Sequence, residues 1–156
     1  MLAVKTAYRN LDLGRQLKLA QREQVMAQGI GLMTWTFDPL QSLNAHFNFN
    51  KLGVVADRYL PDFYGADAAS FLHQTGTDRL WVTWWLAGEP TPLVPVESDI
   101  SIEIPGDINS LPQRTAMQWR EETRRAFTEA IGAGYKVVGF VREKDVGRYL
   151  LRRGSL

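Results

Sequence analysis

Apolar and polar positions along this chain change period several times, and each change marks an expected element. Leu2 to Ala7 is a short apolar stretch that reads as a strand. From Leu13 to Gln28 the residues are mostly Leu, Gln, Lys, Arg and Ala, good helix formers, and Gly29 follows as a C-cap. Leu13, Leu17 and Ala20 share one face of that helix and are expected to point inward. Ile30 to Phe37 is rich in β-formers and is bounded by Gly29 and Asp38-Pro39, which predicts a buried strand. A second helix is expected over Gln41 to Leu52, ending at Gly53, with Val54 and Val55 opening another short strand. Tyr59 to Thr77, with Pro61, Gly65 and Gly76, reads as a loop.

Leu80 to Leu86 carries the strongest strand pattern. Leu80, Val82, Trp84 and Leu86 point one way, and Trp81, Thr83 and Trp85 the other. Both sets are apolar enough to predict a central strand covered on both faces. Gly88 to Pro95 is a connection, and Ile100, Ile102 and Ile104 alternate with Ser101 and Glu103 as a half-buried strand. Ser110-Leu111-Pro112-Gln113 matches a capping box, with Ser110 as N-cap. The helix it opens carries Ala116, Trp119, Thr123, Ala126, Phe127 and Ala130 at helical spacing and ends at Gly132 or Gly134. Tyr135 to Val141 and Arg148 to Leu151 read as a hairpin. The pattern as a whole predicts an α/β or α+β fold, a mixed sheet flanked by helices.

The length of 156 residues suits one domain, residues 1–156, with a core large enough to need no staples. Cysteine is absent, which excludes disulfides, thiolate nucleophiles and cysteine-held zinc. Lys+Arg 18 against Asp+Glu 17 gives +1, so no global charge drives the chain toward nucleic acid or an anionic membrane. Two histidines, His46 and His73, are too few for a histidine-rich metal centre, and no metal is expected. No apolar run reaches the roughly 18–20 residues of a membrane span. The opening Met1-Leu2-Ala3-Val4-Lys5 does not have the form of a signal peptide, so the expectation is a cytoplasmic domain.

Tyr8-Arg9-Asn10-Leu11-Asp12-Leu13-Gly14-Arg15 lies between the first expected strand and the first helix. Unpaired N–H groups and the positive end of the helix dipole make such a junction suited to phosphate, and Arg9 and Arg15 add charge. The segment resembles the acyl-CoA loop of the GNAT acetyltransferases, Gln/Arg-x-x-Gly-x-Gly/Ala, with Arg9 and Gly14 at its first and last positions. Leu2-Ala3-Val4 precedes it as the family's Leu-x-Val strand does. A second family pattern, Asn-x-x-Ala-x-x-x-Tyr-x-Lys-x-Gly-Phe, aligns with Ser42, Ala45, Phe49, Lys51, Gly53 and Val54. Leu17 to Arg22, Thr34 to Leu40, Asn44-Ala45 and Thr77 to Leu80 are similar to a poorly characterised subgroup of predicted GNAT enzymes. The likeness covers residues 1–86 as a CoA-binding core, with 97–156 as a C-terminal β-α-β-β extension.

The resemblance implies that Leu2 and Val4 (by backbone), Arg9, Leu11, Leu13, Gly14 and Arg15 hold acetyl-CoA, and that an amine attacks the thioester directly. It also implies that the chain begins at the family's fourth strand. Either the chain is then a fragment, or another chain or the C-terminal strands cover the edge of its first strand, and self-complementary edge pairing would make a homodimer. Asp12 stands where the loop normally has glycine, which tolerates positive φ and a close phosphate. Phe49 stands where relatives keep a proton-donating tyrosine, and phenylalanine has no proton to give. Tyr59 and Tyr64 are substitutes for that acid, and His46 is a candidate base.

Other candidates have plainer readings. Arg15, Lys18 and Arg22 form one helix face, able to reach an anion but expected to be a solvated basic face. Seven arginines from Arg120 to Arg153 make the last third basic, diluted by Glu121, Glu122, Glu129, Glu143 and Asp145, so nucleic acid is an unfavoured partner. Trp81, Trp84 and Trp85 are expected in the core, Asp78-Arg79 as an ion pair, and Asp38 as a helix cap. Two functions follow as expectations. One is a GNAT-like N-acyltransferase moving an acetyl group from acetyl-CoA to an amine. The other is a non-catalytic remnant of that fold serving as an oligomeric or ligand-binding module.

Overall fold

The structure, a computed structural model, describes residues 12–65, 75–88 and 93–154. The strand expected over Leu2 to Ala7, with Leu2, Val4, Arg9 and Leu11, lies outside the described residues, as does His73. The order is α1 (Leu13–Met26), β1 (Leu32–Phe37), α2 (Ser42–His46) running into a π-helical turn (Phe47–Leu52), β2 (Val55–Leu60), β3 (Arg79–Trp85), β4 (Ile100–Pro105), a 3₁₀ turn (Ile108–Ser110), α3 (Gln113–Gly132), β5 (Tyr135–Arg142) and β6 (Val146–Arg153). One six-stranded sheet joins the strands in the order β1-β3-β2-β5-β6-β4. Every described pairing is antiparallel, so the fold is α+β and the sheet is not mixed.

Local chemistry explains most of the elements. Gly29 ends α1 at φ 77, and the Ile30 N–H reaches back to the Val25 carbonyl at 3.1 Å. Beyond the π turn Gly53 takes φ 70, while the Val54 N–H bonds Asn48 O at 3.2 Å. The β5–β6 hairpin closes through Glu143 N–H to Val146 O at 2.9 Å.

Tertiary pairing overrides the sequence reading in several places. Tyr59 and Leu60 belong to β2 and not to a loop, because they pair with Leu80 and Arg79 across a bulge between Ala56 and Arg58. The capping box does not form: Pro112 precedes α3 with no side-chain cap, and Ser110 Oγ donates to Asp107 O at 2.9 Å within the 3₁₀ turn. Asp38 caps no helix; its Oδ1 accepts from the Leu40 N–H at 3.0 Å, and Gln41 sits at the N-cap of α2. β3 is flanked by strands, as expected of a central strand, yet its two faces are covered unequally, with Trp81 and Thr83 half-buried on the second. Leu80, Val82 and Trp84 are buried on the first, while Trp85 on the second is 62% exposed.

α1 presents the side opposite to that expected. Leu17 is 49% exposed and Ala20 is also exposed. Lys18, Leu19, Arg22 and Val25 face the sheet instead. The Lys18 ammonium stands 4.0 Å from the Trp35 ring centroid, and Arg22 Nε and Nη2 donate to Leu86 O at 2.9 and 2.7 Å. Arg22 Nη2 also reaches Gly88 O at 2.9 Å. The basic face is therefore the docking face, with long side chains covering apolar surface by their stems.

The core is aromatic at its centre. Tyr149 is fully buried and meets Phe49, Phe127 and Phe140 edge-on, with centroids 5.8, 5.1 and 4.8 Å away. Its hydroxyl donates to Pro39 O at 2.5 Å, which satisfies the one polar atom in this cluster. α2 with its π turn, α3, β5 and β6 thus share one core.

Candidate functional site

β2 and β5 meet at a single pair, Ala56 with Val137, and a bulge follows between Val137 and Gly139. On the side of the π turn the two strands part. The gap opens into a cavity of about 550 Å³ between the π turn, the start of β2, the middle of β5 and the inner face of α1. Its walls are mostly apolar, with Phe49, Val54, Trp84, Phe140 and Leu93 among them. Arg15, Arg22 and Lys51 also line it, and none of the described lining residues is a carboxylate, histidine or tyrosine. Such a cavity suits a ligand with an apolar or extended body and a negative charge.

The residues carried over from the CoA loop divide. Leu13, Gly14 and Arg15 form the first turn of α1, and Arg15 alone of the three lines the cavity. Gly14 faces the Phe47 ring, where an added Cβ would stand 3.5 Å from it, an ordinary contact. Asp12 precedes the helix at φ 52 and ψ 21, in the left-handed region, and makes no side-chain capping bond. Its carboxylate lies 3.9 Å from the Arg15 guanidinium. The geometry that favours glycine is therefore present at the position where aspartate stands.

The three candidate catalytic residues lie in three different surroundings, and none lines the cavity. Tyr59 is tied to α3: its hydroxyl donates to Asp78 Oδ2 at 2.7 Å and its ring stacks on Phe127 at 5.2 Å. Burial first, then the Asp78 carboxylate, drives the phenol far above the usual tyrosine range, so it is a poor proton donor at neutral pH. Tyr64 is 57% exposed, beside Phe63 and under the Arg79 guanidinium at 5.2 Å. His46 ends α2 with its Nδ1 buried and unpartnered. Burial lowers its pKa, and Lys51 and Arg142 lower it further. Phe49 packs in the core between Phe37 and Tyr149.

An ionic network missed by the sequence reading anchors α3. Arg124 bonds Asp78 through Nε at 2.9 Å and Nη2 at 2.6 Å, and Asp62 through Nη2 at 2.8 Å. Arg120 Nη2 contacts both oxygens of Asp38 at 2.9 and 2.8 Å, and its Nε donates to Thr75 O at 2.8 Å. Asp78 thus pairs with Arg124 and not with Arg79, whose Nη1 donates to the Asp78 carbonyl at 2.9 Å. Arg148 pairs with Glu103 and Glu143, and Arg152 with Asp99. Arginines on α3 at i and i+4, facing aspartates that end β1 and precede β3, were the available signal.

Among the described residues no helix is long and apolar enough to cross a membrane, and no group of three His, Cys, Asp or Glu could hold a metal ion. Comparison of the chain with protein-family models, curated proteins and solved structures found no match.

Proposed function

We propose that this chain binds an acyl-CoA, with its extended arm in the gap between β2 and β5 and its phosphates at Arg15 and Lys51. One observation carries the reading: a largely apolar cavity of about 550 Å³ whose charged lining is entirely cationic. The likeness of Arg9 to Arg15 and of Ser42 to Val54 to GNAT motifs supports the same ligand. In the catalytic form of this reading, an amine nitrogen bonds the acetyl carbonyl and the C–S bond breaks. The departing thiolate then takes up the proton that the amine gives up. The chain would act mainly by holding the thioester for that attack.

A second reading, a binding module without catalysis, is favoured by a specific observation. Tyr59 is bonded to a buried carboxylate, Phe49 has no hydroxyl, and the described cavity lining has no group that exchanges protons near neutrality. β1 also ends the described sheet, and Leu32 and Trp85, paired across β1 and β3, are exposed, which supports association with a second copy. Calorimetric titration with acetyl-CoA tests the shared claim: the parent binds, and Arg15→Ala and Lys51→Ala each weaken binding about ten-fold. No heat with the parent, or equal affinity in all three proteins, removes the reading. Release of free CoA thiol on adding an amine panel to a binding-competent parent separates enzyme from binding module.

A further inference from the structure

Beside the mouth of the cavity, α2, the π turn and β5 bring four polar side chains to one place. Ser42 opens α2 and is 3% exposed. Arg142, at the end of β5, donates from Nε to Ser42 Oγ at 3.2 Å. His46 ends α2 and Lys51 lies near the end of the π turn. Five residues separate these two, which on an α-helix would turn them apart by about 140°. His46 is the N-cap of the π turn and Lys51 lies within it, and the i to i+5 repeat of that turn brings the two closer to one side than an α-helix would. Both Lys51 and Arg142 act on His46 electrostatically, and no acidic group is among the influences on it. Neither cation has a carboxylate partner among the described residues. Arg142 thus holds the Ser42 hydroxyl, Lys51 and Arg142 both lie within electrostatic reach of His46, and the imidazole Nδ1 is buried and unpartnered.

We propose that Ser42, His46, Lys51 and Arg142 form a binding site for a phosphoryl dianion. Lys51 and Arg142 supply two charges, and protonated His46 supplies a third. The Ser42 hydroxyl, held by Arg142, supplies a short neutral donor. Charges that repel in the empty cluster become neutralised by the ligand, so occupancy and protonation of His46 favour each other. Lys51 and Val141, the neighbour of Arg142, line the cavity, so the phosphate is either the monoester of the ligand held there or a separate molecule. The site itself does not rest on the acyl-CoA reading.

The chain has two histidines, which makes imidazole NMR a clean readout. His46→Gln assigns the resonances. Inorganic phosphate is then titrated at constant ionic strength against sodium chloride. The expected result is a saturable movement of the His46 signals, with His73 unmoved, and a rise in the His46 titration midpoint. Lys51→Ala and Arg142→Gln should each weaken the effect about ten-fold, both at exposed positions where folding is not at stake. CoA and dephospho-CoA identify the source. Movement of His46 by CoA alone assigns the monoester to the ligand of the cavity. Movement by inorganic phosphate with neither nucleotide effective assigns a separate phosphate and leaves the acyl-CoA reading to its own calorimetric test. The proposal is overturned if phosphate moves His46 no more than chloride does, if both histidines move alike, or if Lys51→Ala responds as the parent does. In that last set of outcomes acetyl-CoA binding can still hold on its own.

Discussion

Replacing Asp78 by alanine tests the account of what fixes α3 to the sheet. Asp78 is completely buried and accepts four hydrogen bonds: from Tyr59 Oη (2.7 Å), the Asp62 N–H (3.0 Å), and Arg124 Nε (2.9 Å) and Nη2 (2.6 Å). Breaking a buried pair by removing one partner costs about 3–5 kcal/mol, because the other charge loses its compensation. Here Arg124 keeps Asp62, and its side chain is 36% exposed, so water recovers part of the loss. The expected loss is about 3 kcal/mol, a large part of the roughly 5–15 kcal/mol of a typical domain. Asp78→Asn, which keeps one acceptor oxygen, should lose about half as much. Urea unfolding followed by tryptophan fluorescence gives both values. Burial by itself raises the Asp78 pKa, but the bonds from Arg124, Asp62 and Tyr59 outweigh it and hold the carboxyl below its ordinary range. The unfolded-state value is near 3.9. The stabilisation is therefore complete above about pH 5 and is lost as pH falls through the lower folded-state value. The gap between parent and Asp78→Ala should be constant from pH 7 to 5 and close in acid. A loss under about 1 kcal/mol at pH 7, or a gap that persists unchanged to pH 2, would refute this reasoning.

Four further predictions follow from single positions. Asp12→Gly releases a left-handed residue at φ 52, which costs roughly 1 kcal/mol for a side chain, and removes a negative charge beside Arg15. It should raise the thermal midpoint slightly and tighten acetyl-CoA binding in calorimetry; weaker binding would count against the placement of the phosphates at α1. Gly147→Ala drives a Cβ into the Phe140 ring and to 3.1 Å from Ile104 Cγ1, both in the core, and should destabilise by about 2 kcal/mol. Gly132→Ala meets nothing within 4 Å and should be neutral or stabilising in the same melt. Arg22→Ala removes the three bonds to Leu86 O and Gly88 O and should raise hydrogen exchange across α1 while leaving β5 and β6 protected.

Elements with a strong local signal were legible from the sequence. The Leu80 to Leu86 alternation, the Ile100-Ile102-Ile104 strand and the long helix before Gly132 all lie where their periodicity puts them. What failed depends on partners remote in the sequence. Tyr59 reads as loop because Pro61 and Gly65 follow it, yet pairing with Leu80 carries it into β2. Lys18 and Arg22 read as solvated because cations normally face water, yet Trp35 and two carbonyls receive them. Asp38 reads as a helix cap because of its neighbours, while its strongest partner is Arg120, 82 residues away. Composition could not announce the cavity, which depends on two strands that pair at one residue and then part. Its cationic lining combines Arg15, singled out beforehand, with Lys51, which appeared in the sequence only as a position of a family pattern.

Charge is arranged differently around α3 and around the π turn where binding is proposed. Around α3, carboxylates and guanidinium groups are matched: Arg120 with Asp38, and Arg124 with Asp62 and Asp78. The carboxylates there are paired with guanidinium groups, although Arg120 Nη1 is buried without a bond, and Tyr59 is held in the same network by Asp78. Around the π turn the opposite holds. Among the described residues Lys51 and Arg142 carry no carboxylate partner, both act electrostatically on His46, and its Nδ1 is buried without a bond. Unmatched charge of one sign destabilises a fold unless something outside the chain neutralises it. A matched network beside Tyr59 and an unmatched one beside the cavity are the contrast on which the proposal of anion binding at the π turn rests. The same contrast argues for the binding-module form of the proposal, because the charged lining of the cavity is cationic while Tyr59 is bonded to Asp78.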